Sequence, residues 1–509
     1  MRASSLHGCI YGVSKFDSYC PCSFSRFLTI GLLKSVKGKS IYWYDFKTFG
    51  SDPRRDRASQ FAGIRTDEEL NIIGEPLVIY CQPADDFLPD PVACLITGIT
   101  PQKALAEGVS EVEFIQQIHR EFSEPNTCVA GYNSIRFDDE VTRQLLYRNF
   151  YDPYEREWRN GNSRWDIIDM VRLCAATRPE GVNWPVKEDG SNSFRLDQLT
   201  VANGIEHADA HDALADVKAT IELAKLIREK QPKLFQYVFD LRGKKRVQAQ
   251  IDLVTRKPFV HVSMMYPAKL GCLALVTPIC VHPTNSNGII VYDLREDPES
   301  WMGKSVEEIR THVYTPRNEL PESVNRIPLK TIHINKCPVV ASAGVLDEKR
   351  AREYEVDMDL CRRHWEVLRA DNNVAKKIAT VFRENLFEQE TDPDYMIYSG
   401  GFFSDRDKSL MQTVRTCLPK DLARLDLPFA DKRLHEMLLR YRARNYQETL
   451  SSEEKVQWEI FRMSRLNSES ARARYNLSMA EAHDRSQFES DLGILSDLEQ
   501  FVAALTTSQ

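Results

Sequence analysis

Ile41-Tyr42-Trp43-Tyr44-Asp45-Phe46-Lys47-Thr48-Phe49-Gly50 is the stretch on which the reading of the fold turns. Its first six positions are apolar or aromatic apart from Asp45, the pattern of a buried strand, and Phe49-Gly50 with Asp52-Pro53 then ends it. Further strands are predicted at Leu77-Val78-Ile79-Tyr80 and Thr127-Cys128-Val129-Ala130. Helices are predicted over Glu111 to Phe122, Asp138 to Phe150, Asp166 to Thr177 and His211 to Ile227. Strands alternating with helices predict an α/β sheet domain that ends near Gln231-Pro232.

Beyond that point the register changes. Ala249 to Val254, Phe259 to Ser263, Leu273 to Val281 and Gly288 to Asp293 are short β-like runs separated by Pro and Gly, which predicts a small, mostly β domain. From about Asp347 the pattern is helical through Tyr354 to Ala370, Asn373 to Leu386, Asp405 to Thr416, Arg433 to Tyr446 and Ser452 to Met463. The expected organisation is therefore an extension over 1–40, an α/β domain over 41–232, a β domain over 233–385 and a helical domain over 386–509.

Composition narrows the class. With 509 residues, 42% hydrophobic and 28% charged, the chain has the make-up of a globular protein of two to four domains. No apolar run approaches the roughly 18 residues of a spanning helix, so a membrane protein is not expected. A net charge of −7 means that any nucleic-acid contact comes from local basic patches. Twelve cysteines with no CxxC pair are read as reduced thiols of a cytoplasmic protein, without structural zinc. Residues 1–40 are Ser-rich and carry six basic residues against Asp17, and are expected to be a disordered or mis-started extension, a targeting peptide being the other reading.

Chemistry is suggested by acids near strand ends. Asp45 closes the first strand, Asp138 opens a helix after Gly131-Tyr132-Asn133-Ser134-Ile135-Arg136-Phe137, and Asp216 lies on the last helix of the domain, five residues after His211. Three carboxylates and a histidine suit two-metal phosphodiester hydrolysis, in which two Mg²⁺ ions about 3.5 to 4 Å apart share carboxylates and a base takes a proton from water. Five residues at about 100° each put His211 and Asp216 roughly 140° apart on a straight helix, so His211 is expected at or just before the helix start. Read without context, Asp138 is a helix N-cap, Asp139 and Glu140 are first-turn acids favoured by the helix dipole, and Asp166 is a helix-start or surface residue.

These motifs resemble the DEDDh exonucleases, and specifically the bacterial exonuclease I family that degrades single-stranded DNA from the 3′ end. The resemblance rests on Tyr44 to Gly50, Gly131-Tyr132-Asn133 with Arg136 to Glu140, Arg164-Trp165-Asp166, Phe194-Arg195-Leu196 and Ala210-His211-Asp212-Ala213. Downstream, His333 to Pro338, Gly401 to Asp405 and Tyr441 to Asn445 extend it over about residues 41 to 507. It implies a ribonuclease-H-like exonuclease domain, an SH3-like β domain and an all-α C-terminal domain. It also implies a monomer acting in DNA repair and recombination, with two Mg²⁺ ions, or Mn²⁺ in their place. By resemblance the metal ligands fall on Asp45, Asp138 and Asp216 and the general base on His211.

The family's second acidic position, a glutamate two residues after the first aspartate, is Lys47 here. An ammonium at that place opposes metal binding by several kcal/mol. Two consequences are open: a catalytically impaired protein that still binds single-stranded DNA, or a lysine that turns to solvent and leaves a slower enzyme. Lys47, Phe49, Arg136, Arg164 and Arg195 are the candidate substrate contacts, Phe49 by stacking on a base. Arg178 and Tyr237 match family positions near a pocket for the acidic C-terminal tail of single-strand DNA-binding protein. The basic runs Lys225, Arg228, Lys230 and Lys233, and Arg242, Lys244, Lys245 and Arg246, read as solvated faces or as a DNA-tracking groove at the joint with the β domain; Arg440, Arg442 and Arg444 are weaker candidates, because residues two apart lie on different helix faces. An RNA-trimming nuclease of the same superfamily is a rival reading, which the two additional domains count against.

Overall fold

The computed structural model describes residues 38–207, 212–322, 324–383 and 390–507. Its first sheet has the order β3-β2-β1-β4-β5, formed by β1 (Ser40–Thr48), β2 (Ala58–Thr66), β3 (Leu77–Tyr80), β4 (Thr127–Gly131) and β5 (Ser163–Asp166). β1 lies at its centre, antiparallel to β2 and parallel to β4. Both faces of β1 are covered, which explains its near-continuous apolar run. Tyr42, Tyr44 and Phe46 pack with Phe114, Phe122 and Leu145 on one side. Ile41 and Trp43 pack with Val217 and Ile221 of the helix Ala213–Lys230 on the other. Side chains alternate along a strand, so Asp45 and Lys47 continue the Trp43 face, the one that carries this helix.

Two strands of this sheet escaped the sequence reading, as β9 and β10 of the second sheet, Leu329–His333 and Val339–Ser342, also did. β2, Ala-Ser-Gln-Phe-Ala-Gly-Ile-Arg-Thr, is buried at all nine positions, yet Ser59, Gln60 and Gly63 interrupt any apolar pattern. β5 is only Ser-Arg-Trp-Asp. The first core also runs past Pro232, because Phe235 and Phe239 of the helix Pro232–Asp240 sit 5.4 and 5.0 Å from the Trp165 ring.

The second sheet is antiparallel, in the order β10-β6-β7-β8-β9, from β6 (Phe259–Val262), β7 (Leu273–Val281), β8 (Gly288–Asp293), β9 (Leu329–His333) and β10 (Val339–Ser342). The expected β-like run Ala249 to Val254 is turn instead, after the short helix Lys244–Gln248; Ile251 reaches the core under the sheet without pairing. The C-terminal part is helical, with Asp405–Thr416, Arg433–Asn445 and Ser452–Leu466 followed by two helices not foreseen, Glu469–Arg485 and Glu489–Thr506. No described helix is long and apolar enough to cross a membrane.

A buried ion cluster joins the helical part to the first. Asp86 and Asp394 both accept from Arg444, at 2.7 and 2.5 Å, and from Arg465, at 2.7 and 3.2 Å. Arg57 adds a contact to Asp86 at 3.3 Å and Arg440 one to Asp394 at 3.1 Å. Arg442 is likewise taken up by Glu454. The side chains of Arg440, Arg442 and Arg444, read as weaker DNA-tracking candidates, are thus buried in ion pairs and structural, which corrects that expectation.

Candidate active site

Three carboxylates converge at the end of β1. Asp45 comes from the strand itself. Asp138 opens the helix Asp138–Arg148 without capping it: Phe137 is the cap residue, and Asp138 Oδ1 instead accepts from the Phe46 amide at 2.9 Å, tying the helix start to β1. Asp216 lies in the first turn of Ala213–Lys230. That helix is seated by Asp212, whose carboxylate caps it through the Leu214 and Ala215 amides and accepts from Gln60 Nε2 at 3.1 Å. Gln60, on the unforeseen β2 and opposite Lys47 in register, therefore fixes where Asp216 points.

Lys47 stands among these acids. Its Nζ is 2.9 Å from Asp45 Oδ2 and bonds Asp216 Oδ2, with only 11% of the side chain exposed. The reading in which Lys47 turns to solvent is corrected: the ammonium bridges two carboxylates. Burial works against the charged amine, but Asp45 and Asp216 outweigh it and hold its pKa above the ordinary value. Burial pushes Asp45 up to about 6 against the pull of Lys47, and Asp138 well above the usual carboxylate range, with the charge of Asp45 adding to the rise.

His211 lies outside the described residues; the helix bearing Asp216 begins two residues after it, at Ala213. A second histidine, not singled out from sequence, does reach the site. His207 Nε2 is 2.6 Å from Asp216 Oδ1, and its Nδ1 is 3.1 Å from Thr200 Oγ1, with the side chain almost wholly buried. The signal that could have found it is its spacing, nine residues before Asp216 and four before His211.

Asp166 is also more than a helix-start acid. It accepts from the Asn133 and Ile135 amides at 2.8 and 3.1 Å and from Ile168 at 3.0 Å, so it shapes the loop that delivers Asp138. Burial raises its pKa to about 7. Gly131 begins this loop where a Cβ would meet Ser134 Cβ at 2.8 Å and the Tyr44 carbonyl at 3.1 Å. Asp139 is a first-turn acid as read, and it is also buried and held by Arg156 at 2.6 Å, Arg164 at 2.9 Å and the Tyr44 hydroxyl at 2.9 Å.

The candidate substrate contacts divide. Arg136 is exposed and lines a cleft of about 480 Å³ between the two sheets, together with Lys330, His333 and Lys336. Arg195 is exposed beside the same loop: the preceding carbonyl, Phe194, accepts from Tyr132, and Arg195 itself pairs with Asp197. Lys47 lines a larger cleft, of about 1140 Å³, between the end of β1 and the C-terminal helices. Phe49 is 1% exposed, packed near Phe87, Ile99 and Leu498, and has no face free for a base. Arg164 is spent on Asp139, Glu157 and the Asn335 carbonyl. Both are corrections: these side chains hold the core together. Arg178 and Tyr237 meet one seam, donating to the carbonyls of Val345 and Val340, in and just after β10.

The residues present do not fit a pair of divalent ions. Such ions need shared carboxylates, and the space between Asp45 and Asp216 is filled by an ammonium. Among the described residues no group of three or more His, Cys, Asp or Glu is arranged to hold a metal.

Comparison with known proteins places this arrangement. The chain matches the family profiles described as Exonuclease over residues 42–224, Exonuclease I SH3-like domain over 242–384 and Exonuclease I C-terminal domain over 391–505. It is 48% identical over 433 residues to exodeoxyribonuclease I of Haemophilus influenzae, covering 85% of this chain and 91% of that one. Its structure is similar to E. coli exonuclease I in complex with a dA16 oligonucleotide, at TM-score 0.88 and 43% identity over 92% of this chain and 100% of that one. The zinc-bound form of the E. coli enzyme with single-stranded DNA gives TM-score 0.89 at 42% identity with the same coverage.

Proposed function

The chain belongs to the exonuclease I family of exodeoxyribonucleases, and from that premise we propose that it degrades single-stranded DNA from the 3′ end to 5′-mononucleotides, in DNA repair and recombination. The observation that carries the reading is the convergence of Asp45, Asp138 and Asp216 at the end of β1, with Arg136 and Lys336 lining the neighbouring cleft between the sheets. The relatives solved with oligonucleotides support a single strand as the substrate.

In this proposal Arg136, Lys330 and Lys336 bind backbone phosphates, and Arg195 contributes from beside the Tyr132 loop. The 3′ end reaches the carboxylates, and His211 takes the proton of the attacking water. Enzymes of this family need a divalent metal, which supplies an activated water and stabilises charge on the phosphate; Mg²⁺, with Mn²⁺ as substitute, is the ion proposed. No step is assigned to a pair of ions here, because Lys47 bridges two of their ligands. That bridge favours a second reading, a catalytically impaired protein that binds single-stranded DNA.

Arg178 and Tyr237, on one seam, are proposed to take the acidic tail of single-strand DNA-binding protein; charge reversal at Arg178 should then weaken binding of that tail. The chain is proposed to act as a cytoplasmic monomer. The proposed domains are an exonuclease domain over 41–232, a β domain over 233–385 and a helical domain over 386–509. The test is digestion of labelled single-stranded DNA, duplex DNA and RNA with and without Mg²⁺. Release of mononucleotides from single-stranded DNA alone is expected; activity on RNA alone or on duplex ends overturns the proposal. Tight binding of single-stranded DNA without digestion selects the second reading.

A further inference from the structure

We propose that the Lys47 ammonium is a built-in cation that stands in for a divalent ion, so that the cleft is assembled and receives the 3′-terminal phosphodiester of a single strand with no metal bound. A shared divalent ion would join a carboxylate on β1 to one on the helix Ala213–Lys230. Lys47 Nζ makes that same link, 2.9 Å from Asp45 Oδ2 and bonded to Asp216 Oδ2. The other oxygen of Asp216 is held by His207 at 2.6 Å, and Asp138 is held by the Phe46 amide at 2.9 Å. Each of the three acids thus has a partner supplied by the protein.

An ammonium carries three N–H donors; one bonds Asp216 Oδ2, and Asp45 Oδ2 takes a second place beside the charge as an ion pair at 2.9 Å. The third remains for the cleft of about 1140 Å³ that Lys47 lines, where an anionic phosphodiester oxygen is its natural acceptor. Three bare carboxylates would repel that phosphate. One internal positive charge reduces the repulsion, and the same charge resists entry of a divalent ion. The proposal rests on the reading of this cleft as the place of the 3′ end.

Binding measurements on the full chain test it without any cleavage, so a failure to digest DNA counts against the proposed activity and leaves this inference standing. Mn²⁺ binding, followed by the resonance of the free ion, should be about 100-fold tighter in Lys47→Glu than in the unchanged chain, and intermediate in Lys47→Met. In EDTA, a linear oligothymidylate should bind the unchanged chain and Lys47→Arg about tenfold more tightly than Lys47→Glu. A circular single strand, having no 3′ end, should bind all of them equally. Equal Mn²⁺ affinities, or equal linear-strand affinities in EDTA, overturn the proposal. A difference as large on the circle as on the linear strand overturns the assignment to the 3′ end. Equal melting temperatures of Lys47→Arg and the unchanged chain show that the charge-retaining control is folded.

Discussion

The end of β1 and the joint with the helical domain each gather aspartates and cations, yet they differ in charge balance. At the joint, Asp86 and Asp394 face four guanidiniums, from Arg57, Arg440, Arg444 and Arg465. Burial raises their pKa, but the arginines win and both acids stay ionised far below the usual range. At the end of β1, Asp45, Asp138 and Asp216 face one ammonium and a histidine. There burial prevails, and Asp45 and Asp138 are pushed upward. Buried acids with surplus cations make a joint; buried acids with a single ammonium among them make a site whose carboxyls are pushed upward.

The largest effect expected from breaking this contrast is at the joint. Arg444→Met removes the one guanidinium that bonds both buried carboxylates at 2.7 Å or less and should cost about 3 kcal/mol in denaturant unfolding, the low end of the cost of removing one partner of a buried pair. A loss below about 1 kcal/mol would show that the remaining arginines suffice.

Acid should dissolve the joint next. Glu111, which reaches the joint through Arg57 at 4.0 Å and pairs with Arg148 at 3.1 Å, is buried, but Arg148 and Arg57 bring its pKa down to about 2. A folded value below the unfolded one contributes stability above about pH 4, and this is lost as pH falls toward 2. The Glu111→Gln variant should therefore melt below the unchanged chain at pH 7, by about 3 kcal/mol, and the gap should close between pH 4 and 2. Asp45, with its raised value, has the opposite sign: it costs stability as pH rises from about 4 through 6.

At the catalytic end, Lys47→Glu should raise Mg²⁺-dependent release of nucleotides from single-stranded DNA by about 100-fold, as an ammonium is exchanged for a metal ligand. Equal rates would remove Lys47 as an impediment. In that variant, His207→Gln should lower activity by about tenfold through a misdirected Asp216 and leave the melting temperature nearly unchanged. The smallest effect is Phe49→Leu, about 1 kcal/mol of stability with unchanged affinity for single-stranded DNA; weaker DNA binding would return Phe49 to the site.

Legibility followed how local each signal was. β1, β7 and β8 stand where the apolar runs put them, and the helix Asp405–Thr416 has the bounds its periodicity predicts. β2 was invisible because its small and polar residues are buried by their neighbours rather than by their own hydrophobicity. Phe49 and Arg164 were misread for the same reason: an aromatic beside a glycine and an arginine in a motif look available until the packing closes over them. Asp166 could be read as a surface acid because its partners, the amides of Asn133 and Ile135, lie about 30 residues away, and the burial of Asp139 was hidden because Arg156 lies 17 residues away.

The sequence by itself determined the family, the order of the three domains, the acidic character of the site and the presence of a lysine at the second acidic position. Residue types and short periodicities are local properties, and they survive in a string of letters. Only the tertiary structure decided what that lysine does. Asp45 and Asp216 are 171 residues apart in the chain and meet because Gln60 and Asp212 seat a helix beside β1. In that packed space an ammonium with 11% exposure is held by two carboxylates, where the sequence left open its escape into water.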